Sequence, residues 1–361
     1  MSLPEVYERL ADRLANTPNG FPRSKKGTDC KLLAKMFSED EAALGAVMRL
    51  ERESVEVIAE RAGVEAATAR LVLKGMVRKG LIHAGRGAGS LNYGLLPFAV
   101  GSWEEALPYL DEEMARLFDE LMDETHGGNM VNIGPPIQRV IPVEQSVHAD
   151  IALLPYEQAS EMVNQAKSWG VRQCLCRKQK ALVGERCEYP DMNCVTLAPV
   201  EGAFLNQEHT TAVTREEALF ILAESEKAGL VHSVYNQQEG LYYVCNCCPC
   251  CCGIMRGVVK YGQAHALAHS DFLAEVYAEA CVGCEACVDR CHFGALSVPD
   301  SICLVDPVRC MGCGLCVSAC PSDALTLLRR PEGLRAATPT DHHAWRAERA
   351  KSRGVPLDNL L

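Results

Sequence analysis

The chain has 361 residues, enough for two or three domains that each bury a core. Its formal net charge of -11 at pH 7 argues against nonspecific attraction to nucleic acid or to an anionic membrane. The first residues lack an apolar signal-peptide core, no apolar run reaches the length of a membrane span, and 20 cysteines are present. We therefore expect a cytoplasmic protein whose thiols bind metal rather than form disulfides.

Residues 1–37 open the chain, with a short amphipathic helix predicted over residues 3–15. A loop rich in proline, glycine and basic residues follows it. Cys30 stands alone after this loop, and we interpret it as a small buried apolar residue.

Residues 38–125 combine compact helical segments, a Gly-rich hairpin-like stretch and an acidic amphipathic helix. The helices and the hairpin resemble a winged helix-turn-helix unit. Such a unit would place Arg70, Lys74 and Arg78 on one helix face, where they could meet phosphates. The turn that normally reads bases, residues 65–68, offers almost no donors. We favour a scaffold for domain packing or for a homodimer, with nucleic-acid binding as the alternative.

Residues 126–145 contain paired glycines and prolines, and we expect a linker there. It leads into a central Cys-rich α/β domain, residues 146–278. Within that domain a capping box at 214–217 predicts a helix, and two apolar runs predict a β-hairpin that ends at a cysteine cluster. Ten cysteines are concentrated in two stretches of the domain. Free cysteines are usually isolated, so this concentration indicates metal binding.

The central cysteines are predicted to hold at least one further [4Fe-4S] cluster, with a structural zinc as the alternative. Pro249 suits the first turn of a helix, so we expect a helix that carries Cys247, Cys250 and Cys251 on one face. The pattern allows one centre or two. The preferred ligands are Cys176, Cys187, Cys194 and Cys247. The further candidates are Cys174, Cys245, Cys248, Cys250, Cys251 and Cys252.

The most specific pattern is a pair of C-x2-C-x2-C-x3-C runs within residues 281–321. A cubane needs four thiolates, whereas zinc sites usually take paired C-x2-4-C hooks. The second run ends in Cys320-Pro321, but the first has His292 where proline would stand. Residues 279–328 resemble a bacterial two-[4Fe-4S] ferredoxin domain. The resemblance implies a βαββαβ fold with internal pseudosymmetry, and Cys303 between the runs is interpreted as apolar packing.

In two-cluster ferredoxins the fourth cysteine of each run ligates the other cluster. The resemblance therefore implies two ligand sets for two [4Fe-4S] clusters. The first set is Cys281, Cys284, Cys287 and Cys320, and the second set is Cys310, Cys313, Cys316 and Cys291.

The resemblance implies an iron-sulfur protein that relays single low-potential electrons. We expect the relay to connect these two clusters with the central centre and with a partner oxidoreductase. Two alternatives are a redox-sensing winged-helix transcription regulator and a reductase with its active site at the central cluster. Electron donor, electron acceptor, reduction potentials and enzymatic activity are left open by the sequence. The tail, residues 329–361, is expected to fold back over the ferredoxin unit or to stay mobile.

Overall fold

The computed structural model describes residues 4–87, 90–335 and 337–357. Residues 1–3 of the N-terminal segment, 88–89 of the predicted hairpin, and 336 and 358–361 of the tail lie outside the described residues. The chain groups into two compact units. The first contains residues up to 134, residues 179–186 and those from 346 onward, and the second contains residues 135–178 and 187–345. Within the described ranges, no helix combines the length and the apolar character that crossing a membrane requires.

The first unit is mainly helical, with one antiparallel hairpin. Its hairpin pairs β1 (Ile82–Arg86) with β2 (Leu91–Leu95). Its helices are α1 (Glu5–Ala15), α2 (Thr28–Met36), α3 (Glu39–Gly45), α4 (Val55–Ala62), α5 (Ala66–Arg78), α6 (Trp103–Glu105), α7 (Glu112–Thr125) and α8 (Gly128–Val131).

Local sequence signals explain where the helices α3 and α4 begin and end. Ser38 and Glu41 form a capping box at the start of α3, which satisfies backbone donors that have no partner inside a helix. Ser54 caps α4, and Gly63 ends it with a φ of 68° that a residue without Cβ adopts readily. Helices α3, α4 and α5 and the hairpin follow in the expected order, while the winged-helix assignment stays a prediction.

The predicted basic face of α5 is partly neutralised. The Arg70 guanidinium forms an ion pair with Glu56 at 3.1 Å. His83 hydrogen-bonds to the Leu50 carbonyl at 2.8 Å, and burial lowers its pKa. The Arg70 guanidinium is thereby less suited to contact phosphate than the sequence pattern indicates.

The second unit contains a seven-stranded sheet with helices around it, including the first half of α10, residues 175–178. The strand order is β6-β4-β5-β8-β7-β3-β9, and every pairing is antiparallel except that of β3 with β9. The strands are β3 (Gln138–Val140), β4 (Ser168–Gln173), β5 (Met192–Ala198), β6 (Thr211–Val213), β7 (Val231–Tyr235), β8 (Tyr243–Cys247) and β9 (Leu267–Ala268). The helices are α9 (Ala159–Gln165), α10 (Leu175–Leu182), α11 (Arg215–Ala228) and α12 (Gly253–Val259).

Several local predictions for this region are confirmed. Thr214 and Glu217 form the capping box that begins α11. Strands β7 and β8 form the expected hairpin, with Val231 opposite Cys247. The predicted linker, in contrast, contains the helix α8 and the strand β3, whose residues are all buried. The central region mixes helices and strands, but its sheet is mainly antiparallel.

The C-terminal part of this unit has the element order βαββαβ that the ferredoxin resemblance implies. Strand β10 pairs antiparallel with β13, and β11 pairs antiparallel with β12. The first strand, β10, lies before residue 279. The elements are β10 (Phe272–Val276), α13 (Ala286–Arg290), β11 (Leu296–Ser297), β12 (Leu304–Val305), α14 (Leu315–Ser318) and β13 (Leu325–Arg329).

The tail forms the helix α15 (His342–Arg353). The indole of Trp345 is fully buried, with its ring 5.1 Å from the ring of Tyr235 on β7. Its Nε1 donates a hydrogen bond to the Pro136 carbonyl at 2.9 Å. Trp345 thus packs on the central sheet rather than on the ferredoxin elements.

Arg349 is a fully buried cation of the first unit. Its guanidinium donates hydrogen bonds to backbone carbonyls, among them those of Pro18 at 2.7 Å and Met130 at 2.7 Å. Further acceptors are the carbonyls of Ile133, Asn19 and Asn129. A buried charge is tolerated when its donors are satisfied in this way.

Candidate metal centres

Two thiol-lined cavities lie inside the ferredoxin elements. Each cavity gathers one of the two predicted ligand sets, so that each run of cysteines contributes three thiols to one cavity and its fourth to the other. The first is lined by Cys281, Cys284, Cys287 and Cys320. The second is lined by Cys291, Cys310, Cys313 and Cys316. Cluster binding by these residues stays a prediction.

The loops that carry the first thiols of each run require glycine. Gly283 and Gly312 occupy equivalent places in the two runs, with φ values of 68° and 69°. A Cβ atom would meet the Ser301 carbonyl oxygen at 2.7 Å in the first loop and the Phe272 carbonyl oxygen at 2.2 Å in the second. Only a residue without a side chain fits such close contacts. The Gly residues thus allow each loop to fold around its cavity.

Backbone amides point at the cysteine sulfur atoms of both cavities. The Ala295 N–H donates to Cys291 Sγ at 3.4 Å, and the Ala324 N–H donates to Cys320 Sγ at 3.3 Å. The two contacts are related by the internal repeat. Hydrogen bonds to sulfur are one of the terms that set the reduction potential of an iron-sulfur cluster.

Cys303 lies at the first cavity, where it is buried in the apolar core and also contacts two of the cavity thiols. Its Sγ is 3.6 Å from Cys287 Sγ, and its N–H donates to Cys281 Sγ at 3.4 Å. Burial, followed by the neighbouring Cys287, raises the pKa of the Cys303 thiol to about 12. The second cavity has no cysteine outside its ligand set among its lining residues in the described chain. The two cavities are therefore chemically unequal.

The ten central cysteines divide into two groups. We call the first group the thiol quartet: Cys187, Cys248, Cys250 and Cys251, whose sulfur atoms all lie within 4.8 Å of one another. Hydrogen bonds from the thiols of Cys250 and Cys251 lower the pKa of Cys248 to about 2. Among the described residues, this is the one group of three or more Cys, His, Asp or Glu with ligand atoms so close together.

The other six central cysteines form a closed circuit in which each thiol shifts the pKa of two neighbouring thiols, and we call this group the thiol ring. No three of their sulfur atoms lie within 4.8 Å of one another in the described chain. The ring thiols are therefore spread more widely than those of the quartet. In order around the ring, its members are Cys174, Cys176, Cys252, Cys247, Cys245 and Cys194.

Sheet pairing explains how the ring closes. Cys245 and Cys247 alternate with Asn246 along β8, so both point to the same face of the sheet. Cys194 lies on the neighbouring strand β5, one residue from the Val195–Val244 pair. Cys174 and Cys176 lie at the start of α10, and Cys252 caps the start of α12.

The structure divides the four preferred central ligands between the two groups. Cys187 belongs to the quartet, whereas Cys176, Cys194 and Cys247 belong to the ring. The expected helix over Cys247 to Cys251 is not present, because β8 continues to Cys247 and α12 begins only at Gly253. A turn lies between them, and it brings adjacent cysteines to one place in a way that a helix would not.

Arg177 supplies a positive charge beside both groups. Its side chain is buried, and it donates hydrogen bonds to Asn193 Oδ1 at 2.8 Å and to the Asn246 carbonyl at 2.9 Å. Burial lowers the pKa of this guanidinium, but the nearby thiols of Cys174 and Cys248 more than offset that effect and raise it. The cation thereby favours thiolates in the ring and in the quartet.

The His292 that departs from the ferredoxin pattern has a structural role. Its Nε2 hydrogen-bonds to the Gly229 carbonyl at 2.6 Å, just after α11. Its ring also meets the edge of the Tyr189 ring, with centroids 6.4 Å apart. Arg290 donates to the Glu226 carbonyl at 2.7 Å beside it. These contacts join the ferredoxin elements to the loop that carries Cys187.

Comparison with known proteins identifies the class of the C-terminal region. Residues 280–324 match the 4Fe-4S dicluster domain family. No curated protein matches the chain, and no solved structure matches it. The chain therefore carries a 4Fe-4S dicluster domain together with a separate cysteine cluster, a combination that indicates an iron-sulfur electron-transfer role.

Proposed function

We propose that the protein relays single electrons between its dicluster domain and a further iron-sulfur centre held by the thiol ring. The observation that carries the proposal is that the two thiol-lined cavities and the ring belong to one compact unit. Three of the four ligands favoured by the sequence, Cys176, Cys194 and Cys247, are members of the ring.

The width of the ring supports an iron-sulfur centre there. A polynuclear cluster keeps its thiolates apart, because the iron and sulfide core lies between them. The ring thiols are spread more widely than those of the quartet, and buried polar groups face two of their sulfur atoms. Gln138 Nε2 lies 3.8 Å from Cys245 Sγ, and Ser233 Oγ lies 3.6 Å from Cys247 Sγ. Such hydrogen bonds stabilise the charge of bound thiolates.

The contacts of His292 supply a route between the two parts. His292 directly follows Cys291 of the second cavity and touches Tyr189. Tyr189 in turn lies beside the Arg177 guanidinium, 5.9 Å from the ring centroid, on the helix that carries Cys176. The relay would pass one electron at a time, with a partner oxidoreductase as its source or its acceptor.

Burial of the ring favours a relay over a reductase active site. None of its six cysteines is exposed. A substrate that had to reach an open coordination position would need more access than three buried and three half-buried cysteines give. The transcription-regulator alternative gains no support from α5, because Arg70 on its predicted phosphate-contacting face forms an ion pair with Glu56.

Iron and sulfide quantitation of the anaerobically purified protein tests the proposal. The dicluster domain accounts for about eight irons per chain, so a count of about twelve or more is expected if a further cluster is present. The double variant Cys194→Ala/Cys245→Ala should return the count to about eight, with the ferredoxin EPR signals retained. The control Cys30→Ala should keep the wild-type count. A wild-type count near eight, or a ring variant with all its iron, would contradict the proposal.

A further inference from the structure

We propose that the thiol quartet is a structural zinc site that is separate from the iron-sulfur chemistry of the chain. The proposal does not depend on the function proposed for the ring. It assigns a different metal to Cys187, Cys248, Cys250 and Cys251.

The spacing of the sulfur atoms indicates a single ion. A tetrahedral zinc site has Zn–S bonds of about 2.3 Å, which places its thiolates slightly less than about 4 Å apart. The quartet has all its sulfur atoms within 4.8 Å, and those of Cys250 and Cys251 are 3.7 Å apart. A cubane holds its thiolates farther apart, because four irons lie between them.

The ferredoxin cavities give an internal comparison for this argument. Both cavities lie in the region that matches a 4Fe-4S family. In neither cavity do three or more sulfur atoms all lie within 4.8 Å of one another, whereas those of the quartet do. Among the described residues, only the quartet meets this distance limit. The same chain thus shows wide thiol sets where cubanes are expected and one narrow set elsewhere.

The position of the quartet suits a structural ion. Three of its members lie in the turn between β8 and α12, and Cys187 lies in the loop between α10 and β5. That loop has no helix or strand from residue 183 to residue 191. A zinc ion would fasten the loop to the turn, as structural zinc sites commonly do in segments with a small core. Tyr189, which meets His292, lies in the same loop.

The local charge and access also fit zinc. Four thiolates around one divalent ion leave an excess of negative charge, and the buried Arg177 lies close enough to Cys248 to offset part of it. Cys250 is exposed, while Cys248 and Cys251 are buried. The ion can therefore enter from the surface and still be held by buried ligands.

Metal analysis of the intact protein tests the assignment. We expect about one zinc per chain beside the iron, as a closed four-thiolate site implies. Growth with Co²⁺ in place of zinc should give the visible absorption of tetrahedral cobalt bound to thiolates. The double variant Cys248→Ala/Cys250→Ala should lose the zinc and the cobalt bands but keep the wild-type iron count.

The ring variant Cys194→Ala/Cys245→Ala is the matched control, and it should keep its zinc while losing iron. Wild-type protein without zinc would overturn the assignment even if the quartet variant failed to fold. Loss of iron from the quartet variant would overturn it as well and would point to a cluster at the quartet. If the ring holds no cluster, the iron count changes but the zinc count does not. The failure of the ring proposal can therefore be distinguished from the failure of the zinc assignment.

Discussion

A single thiol, that of Cys303, makes the two ferredoxin cavities unequal. Its Sγ lies 3.6 Å from Cys287 Sγ, so it can donate a hydrogen bond to the sulfur of a cluster ligand. A donor at this place stabilises the more negative, reduced cluster. We expect Cys303→Ala to lower the reduction potential of the first cluster, as measured by an EPR-monitored redox titration.

The control for this effect is Cys303→Ser, which keeps a donor of similar size. It should hold the potential of the first cluster near the wild-type value. The second cluster should be unchanged in both variants. Equal shifts for the alanine and serine variants would show that packing, rather than the hydrogen bond, sets the difference.

The buried Arg349 side chain is expected to stabilise the folded first unit. Its guanidinium saturates several buried carbonyls of the first unit. Arg349→Met would keep much of the apolar packing but remove this donor from the Ile133 and Met130 carbonyls, at a cost of roughly 3 kcal/mol in the free energy of unfolding. Chemical denaturation should detect the loss. Lys351→Ala, at an exposed place on the same helix, should change the stability little.

Among the elements, the junction between the ferredoxin part and the end of α11 depends on His292. His292→Pro restores the residue that the ferredoxin pattern contains, so both clusters should assemble normally. The variant would lose the hydrogen bond to Gly229 and the contact with Tyr189. We expect faster hydrogen exchange at residues 226–230 and in the Tyr189 loop, together with slower electron transfer to the central centre.

Pro321 provides the comparison, because it occupies the equivalent place in the second run. Pro321→Ala should leave exchange at residues 226–230 unchanged. Unchanged exchange in His292→Pro would show instead that Arg290, which bonds to the Glu226 and Lys227 carbonyls, holds the junction without the histidine.

The elements also show what local sequence can and cannot predict. The capping box of α11 and the hairpin of β7 with β8 follow from signals a few residues long, and both are present. The sequence predicts a helix after Cys247, but the structure has a turn there. The two cannot be distinguished locally, because Pro249 is compatible with a first helical turn and with a loop. The strand β8 continues to Cys247 because its partner β7 extends opposite it.

On the scale of the whole molecule, the grouping of eight ferredoxin cysteines around two cavities could be predicted because all eight lie within one short internal repeat. The division of the ten central cysteines into the ring and the quartet could not be predicted from the sequence. It depends on Cys194 lying one strand away from Cys245, and on α10 bringing Cys174 and Cys176 to the same sheet. Such contacts arise from pairing between segments that are far apart in the chain, and no spacing rule expresses them.

The exposure of one ferredoxin thiol determines which of the two clusters oxygen reaches first. Of the eight cysteines in the two predicted ligand sets, all within the described chain, only Cys284 is exposed. A dissolved oxidant therefore reaches the first cavity sooner than the second. We expect oxygen damage to bleach the first cluster ahead of the second, so that a sample kept in air would retain the second cluster after it has lost the more accessible first one.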